Sequence, residues 1–335
     1  MPTYMRTTYL REALDSALAQ TYPNIEILVS DDSDNDDIGA IVRSYAAPNL
    51  HYRRNVPALG FVPKLDDFLD VARGGWMVIL CDDDVLEPDF VARLIANSRN
   101  HPDASLLRSR NTWIDIEGKV IQTDPASPHV STPGRFLLDL YLPQAETFRV
   151  NLSGFMFQPH ALKALGGFTP LYAARHLDRL AWADLAILGP VICDEQALCR
   201  IRLHGSSVSS VLERDYEAAI EATQIARRKI MGILDRAEAK AGSEQERQEI
   251  AQARQMAVRY CQEHMSRALR QGLVTKVMNS GGDPEELVKL REQWAKHGLP
   301  LTSLTRLVLA ITRLPLFLRK PLVSAMLRVR SAQLH

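Results

Sequence analysis

Apolar and polar positions alternate in two rhythms over the first hundred residues. Over residues 8–20, Leu10, Leu14, Ala17 and Leu18 fall on one helical face with Glu12 in the first turn, which predicts an amphipathic helix. The turn TYPN leads into Ile25–Val29, an apolar run that reads as a buried strand and ends in the acid-rich loop DDSDNDD at 31–37. A helix is expected over 38–47, a short strand over His51–Arg54, and a helix over 63–73 with Leu65, Phe68, Leu69 and Ala72 inward. Behind Gly74 and Gly75, Trp76 to Leu80 read as another buried strand, followed at once by Asp82, Asp83 and Asp84 and by a helix over 88–99. Such strand–helix alternation predicts an α/β fold with a parallel sheet covered on both faces.

Beyond residue 100 the pattern predicts strands over 104–123 around a turn at Glu117–Gly118, a loop over 124–134 and a short helix over Gly134–Leu142. A strand is expected over Asn151–Gln158, then a helix over Pro159–Leu165 that opens on proline and is stopped by Gly166 and Gly167. One more helix over 175–188 precedes a strand over 197–204 that ends in Arg202 and His204. From about Asp215 long polar helices take over, at 215–241, 244–271 and 284–297.

Lys plus Arg and Asp plus Glu number 40 each, so no overall basic field points to nucleic acid. The balance hides an asymmetry: residues 301–335 carry six basic groups, Arg306, Arg313, Arg319, Lys320, Arg328 and Arg330, and no acid. Leucine-rich turns interspersed with these arginines predict either helices that cover the core or a peripheral contact with an anionic inner membrane face. Cys81, Cys193, Cys199 and Cys261 show no metal-ligand spacing, and nothing resembles a signal peptide. Small apolar fillers in a reduced, cytoplasmic setting are the expectation for them.

Three adjacent carboxylates repel one another unless a cation or solvent compensates them. At the carboxyl end of a strand in an open α/β sheet, Asp82–Asp84 suit a divalent metal carrying a phosphorylated ligand; a solvated loop capping the helix near Pro88 is the plainer alternative. If the strands ending at Val29 and Leu80 lie side by side, both acid clusters face one crevice.

The ordered series PTYMR (2–6), YLREALDSALAQTYPNIEILVSDDS (9–33), LGF (59–61), ARGGWMVILCDDDVLEPDF (72–90), GFMF (154–157), GGF (166–168) and RLHGSSVS (202–209) resembles inverting nucleotide-sugar glycosyltransferases of family 2. The resemblance covers roughly residues 2–210 and implies the GT-A fold, a Rossmann-like mixed sheet flanked by helices. It implies a glycosyltransferase domain over 1–212, with a nucleotide-binding half to about residue 110 and an acceptor half beyond it. A helical region over 213–335 follows. That family opens with an apolar strand before its PTY loop. Here MPTYMR reads as a loop and the strand as missing, so a late start codon or a fragment is the expectation.

The resemblance also implies the chemistry: transfer of a sugar from a nucleoside diphosphate, UDP by expectation, to a hydroxyl of a glycan or lipid-linked acceptor, in surface polysaccharide assembly. It implies that Pro2 and Tyr4 lie against the nucleotide base, that Asp32 accepts from a uracil imide, and that Asp82 contacts the ribose and metal region. Asp83 would bind Mg²⁺ or Mn²⁺ directly, with Asp84 and His204 as further ligands, and Arg202 would face the diphosphate or an acid of the crevice. The catalytic base is expected on the helix after Gly166–Phe168, at Asp178, with Asp184 as the fallback. The two are six residues apart, about 240° around a helix, so they cannot both face one acceptor. Trp182, four residues after Asp178, is expected in the core or lining the acceptor site. The alternative is a degenerate nucleotide-sugar binder or a helical scaffold.

Overall fold

Three parallel strands carry the front of the chain: β1 (Pro2–Thr3), β2 (Ile27–Asp31) and β3 (Leu50–Arg54), in that order. The computed structural model describes residues 1–143, 147–204, 215–280, 284–297 and 299, together with Arg306, Ala310, Ile311, Leu314, Leu318, Pro321, Leu322 and Val323. Helices α1 (Leu10–Leu18), α2 (Asp37–Arg43) and α3 (Phe61–Val71) cover this sheet, and α1 buries Leu10, Ala13, Leu14 and Ala17 on the face that the 3.6-residue spacing predicts. The loop expected over MPTYMR is corrected in part, since it contains a short strand. Pro2 and Thr3 pair with Ser30 and Asp31, and the Met1 side chain is buried while its ammonium donates to the Leu28 carbonyl at 2.7 Å.

The second sheet has seven strands and is mixed. Its path runs β4 (Met77–Val78), β9 (Phe155–Phe157), β6 (Leu106–Ile114), β10 (Val191–Arg202) and β5 (Val85–Leu86). Strand β7 (Val120–Thr123) adds to β6 and β8 (Val130–Ser131) to β10. Only β6 and β10 pair in parallel, so this sheet is mixed, as the family resemblance implies, and the parallel pattern read from the front of the chain holds for β1–β3 but not for β4 and β5. Strand β10 begins at Val191, six residues ahead of the expected 197. The charged stretch hid its first half: Asp194, buried beside a bulge, is paired by Arg93 and Asn97 of α4 (Phe90–Asn100). Strand β2 is flanked by β1 and β3, and β4 by β9, so the strands that deliver the two acid clusters are not hydrogen-bonded neighbours.

Helices α5 (Pro133–Tyr141), α6 (Pro159–Ala164) and α7 (Leu177–Ala186) lie between strands β8, β9 and β10 in the chain. Trp182 of α7 is fully buried, stacks on Phe155 at 4.9 Å and donates its indole N–H to the Asn151 carbonyl, so it belongs to the core. The long helices are α8 (Tyr216–Lys240), α9 (Glu244–Ser280) and α10 (Pro284–Lys296). The chain forms two compact units, Met1–Ser210 with Arg228–Met256, and Val211–Arg227 with Ala257–His335. In the second unit Ile311 and Val323 join Leu269, Leu273, Leu290 and Trp294 in an apolar core. Most of 301–335, and with it the expected membrane contact, lies outside the described residues. No described helix is long and apolar enough to cross a membrane.

Candidate active site

Beyond the short strand β4 the chain runs through buried Ile79 and Leu80 to Cys81 and the three aspartates before β5 begins. Asp82, Asp83 and Asp84 are 6%, 8% and 5% exposed, which rules out a solvated loop and demands compensation. The Arg6 guanidinium supplies most of it, bonding Asp82 closely and Asp83 at 2.8 Å. His204 Nε2 lies 2.7 Å from Asp83 Oδ2 and 3.2 Å from an Arg6 nitrogen. Asp84 Oδ2 accepts from the Ser153 hydroxyl at 2.6 Å, and Asp84 Oδ1 from the Arg202 amide at 3.0 Å. Burial, aided by the neighbouring Asp83 charge, pushes the Asp84 carboxyl up to about 7. Burial also raises Asp82, against the pull of Arg6.

Arg202, expected near a diphosphate or an acid, is a clamp. Its guanidinium donates to the carbonyls of Asp83 and Asp115 and to Glu12 of α1, and it lies 4.3 Å from the Tyr9 ring centre. It thereby fixes β10 to the acid run and to the β6–β7 turn, where Gly118 adopts the positive φ that the tight turn needs.

Asp32 is buried at the end of β2 with four protein donors. Its Oδ1 accepts from Asn55 Nδ2 at 2.8 Å and the Leu59 amide at 3.1 Å, and its Oδ2 from the Gly60 amide at 2.9 Å and Lys64 Nζ at 3.0 Å. Burial alone would raise this carboxyl, but the bonds from Asn55, Lys64 and Leu59 outweigh it and hold it below the usual range. A bond from a uracil imide requires one of these donors to move. Lys64 also donates to the Thr3 carbonyl at 2.6 Å, which ties Asp32 to β1. Thus the segment from Thr3 to Arg6 links the two acid clusters, with Asp32 at one end and Asp82–Asp83 at the other. Pro2 is buried in β1, while Tyr4 is 66% exposed.

Cys81, Asp83 and Asp84 bring donor atoms within 4.8 Å of one another, the one such group among the described residues. Buried carboxylate oxygens with a surplus of negative charge fit a divalent cation. The thiol is an unexpected third member, and His204, which bonds Asp83, is not in that group.

Gly166 and Gly167, at φ of 97° and 73°, end α6 as the sequence predicts. Ala173, Ala174 and His176 then take left-handed backbone conformations, uncommon without glycine and a mark of a constrained loop, immediately before Asp178. Asp178 stands partly buried in the first turn of α7, and its Oδ1 accepts from the Arg179 amide at 2.7 Å. Burial raises its carboxyl while the Arg179 charge opposes. No hydrogen bond or ion pair joins Asp178 to the acid run among the described residues. The fallback, Asp184, is paired with Lys229 at 3.1 Å and Arg236 at 2.5 Å and serves to hold α8. Arg6, Lys64, Ser153 and the Cys81 thiol were not among the expected site residues. Arg6 lies inside the PTYMR stretch, but nothing local marks its partner 76 residues away.

Residues 1–158 match the model of the family described as Glycosyl transferase family 2. An uncharacterized glycosyltransferase of Rickettsia prowazekii is 36% identical over 96 residues, 28% of this chain and 29% of that protein. Among solved structures, S. aureus TarS 1–349 in complex with UDP-GlcNAc has a TM-score of 0.64 at 17% identity, covering 98% of this chain and 90% of that one. The mannosyltransferase PcManGT from Pyrobaculum calidifontis, with GDP-Man and Mn²⁺, has a TM-score of 0.50 at 18% identity, covering 93% and 82%. Residues 1–158 are thus similar to family 2 glycosyltransferases, and the fold is the GT-A fold of these neighbours. Its matches span between 12% and 32% of the length of four curated relatives.

Proposed function

We propose that the protein transfers a sugar, with inversion, from a UDP-sugar to a hydroxyl of a glycan or lipid-linked acceptor in surface polysaccharide assembly. The observation that carries this is the buried run Asp82–Asp84, which holds more negative charge than Arg6 neutralises, at the carboxyl end of a core strand. Asp83 and Asp84 would hold Mg²⁺ or Mn²⁺, with His204 turning to it from Asp83. When bound, that ion neutralises the diphosphate and stabilises the leaving group. Tyr4 and Pro2 form the wall for the base, and Asp32 fixes the 55–60 turn beneath it, releasing one donor where a base edge bonds to it. Asp82 faces the ribose. Asp178 takes the acceptor hydroxyl's proton as that oxygen attacks the anomeric carbon and the bond to the diphosphate breaks; its raised carboxyl is the stronger base for it. The two neighbours solved with nucleotide sugars support the donor class, and four cysteines without a disulfide suit a reducing cytoplasmic setting.

The test is donor turnover with Mn²⁺, followed as UDP release from UDP-sugars with and without a glycan acceptor. Asp178→Asn is expected to lose about a hundredfold or more of the transfer rate while retaining UDP binding. Transfer within threefold of the wild type in that variant removes Asp178 as the base. Tight UDP binding with no turnover in the wild type instead identifies a nucleotide-sugar binder.

A further inference from the structure

Two arginines reach the acid run, and they are built differently. The Arg202 guanidinium is 2% exposed, bonds backbone carbonyls and Glu12, and touches none of the three aspartate carboxylates. The Arg6 side chain is 23% exposed and bonds two of those carboxylates directly. Asp83 Oδ2 receives Arg6 at 2.8 Å and His204 at 2.7 Å, so the oxygen facing His204 is already engaged by a positive charge. Among the described residues Asp84, in contrast, is held by the Ser153 hydroxyl and the Arg202 amide and by no cationic side chain.

From these contacts we infer that Arg6 is a built-in, exchangeable counter-cation of the acid run, which a divalent cation and a diphosphate dislodge together. The inference rests on the nucleotide-sugar reading above. A divalent ion arriving alone meets the guanidinium as a like charge within the same pocket, and Coulomb repulsion at such short range weakens its binding about tenfold or more. A diphosphate gives the displaced guanidinium a new anionic partner, so the exchange leaves no buried charge uncompensated. Cation and diphosphate therefore favour each other's binding, and the coupling runs through Arg6.

The backbone is arranged for such a movement. Arg6 follows Met5, which sits at φ 58° with its amide on the Ser33 hydroxyl at 2.7 Å, a left-handed conformation that a methionine adopts only when held. The Tyr4 and Met5 side chains are exposed, so residues 4–6 can shift without disturbing the core that Thr3 and Lys64 anchor behind them.

The test is the Mn²⁺ dissociation constant of the full chain, read from the electron paramagnetic resonance signal of free Mn²⁺, without nucleotide and with UDP, corrected for Mn²⁺ held by free UDP. Wild type is expected to bind Mn²⁺ weakly alone and at least about tenfold more tightly with UDP. Arg6→Gln is expected to bind Mn²⁺ alone at least about tenfold more tightly than wild type and to lose most of the gain from UDP, whereas Arg6→Lys stays close to wild type. Equal or weaker Mn²⁺ binding in Arg6→Gln overturns the inference. Equal wild-type affinities with and without UDP also overturn it, and this decides the matter where the Gln variant does not fold. No Mn²⁺ uptake by any of the proteins in either condition overturns the metal reading of the site itself.

Discussion

Replacing Lys64 by Met tests how the nucleotide side of the site is held. Lys64 is 2% exposed and Asp32 5%, and their ion pair is joined by the bond from Lys64 to the Thr3 carbonyl. The variant keeps three of the four donors to Asp32 but removes the one counter-charge it has among the described residues. Breaking one partner of such a buried pair costs about 3–5 kcal/mol, because the other charge stays behind in a low-dielectric site. Hydrogen–deuterium exchange of peptides covering Ile27–Arg54 reads this locally. At about 1.4 kcal/mol per factor of ten, the amides of β2 and β3 should exchange at least about a hundredfold faster. The pH dependence gives a second check. In wild type the Asp32 carboxyl is held below its ordinary value, so its contribution is present above the unfolded carboxylate range and lost as pH falls through the folded value. Without Lys64, burial dominates and the carboxyl titrates higher, so the variant's deficit is largest near neutrality and shrinks on acidification. Adding Asp32→Asn should restore part of the loss, since the stranded charge is then gone. Exchange within threefold of wild type at pH 7 would refute the claim that this pair holds the sheet.

The other predictions concern the far side of the site. Asp184→Asn removes the partner of Lys229 and Arg236 and should lower the melting temperature, at a cost of about 1–3 kcal/mol, while transfer per folded molecule stays within threefold. A hundredfold loss of transfer with the fold intact would move the base to Asp184. Burial, with the Arg175 and Arg179 charges, pushes the His176 imidazole down to about 3. The unfolded chain then takes up this proton near 6.5 and the folded one does not, so stability falls as pH drops from about 6.5 towards 3. At pH 5 this amounts to about 2 kcal/mol, and His176→Gln should remove that part of the slope in urea titrations at pH 5 and pH 7. An unchanged slope would show that the imidazole titrates normally.

Much of the frame is legible in the sequence because it is local. Periodicity finds α1, α3 and α4, the glycines that end α6, and the apolar run ahead of Asp82. The rest depends on partners far along the chain. Lys64 is not among the inward positions expected of its helix, and its role shows only when Asp32 and Thr3 are found against it. Asp194 makes the first half of β10 read as a loop, although Arg93 pays for its burial. Arg6 sits in a segment that reads as a loop, and its pairing with Asp82 leaves no trace in spacing or composition. The mixed order of the second sheet is set by which strand edges meet, and hydrophobic pattern alone is silent on that.

The central claim is that the acid run Asp82–Asp84 binds a nucleoside diphosphate through a divalent cation. Calorimetric titration of UDP into the full chain, with Mn²⁺ and with the metal chelated, tests it most directly, using Asp83→Ala beside wild type. Saturable UDP binding by wild type that weakens at least about tenfold on chelation, and to the same degree in Asp83→Ala, is the predicted result. Equal UDP affinity in all three conditions, or no binding in any, would contradict it.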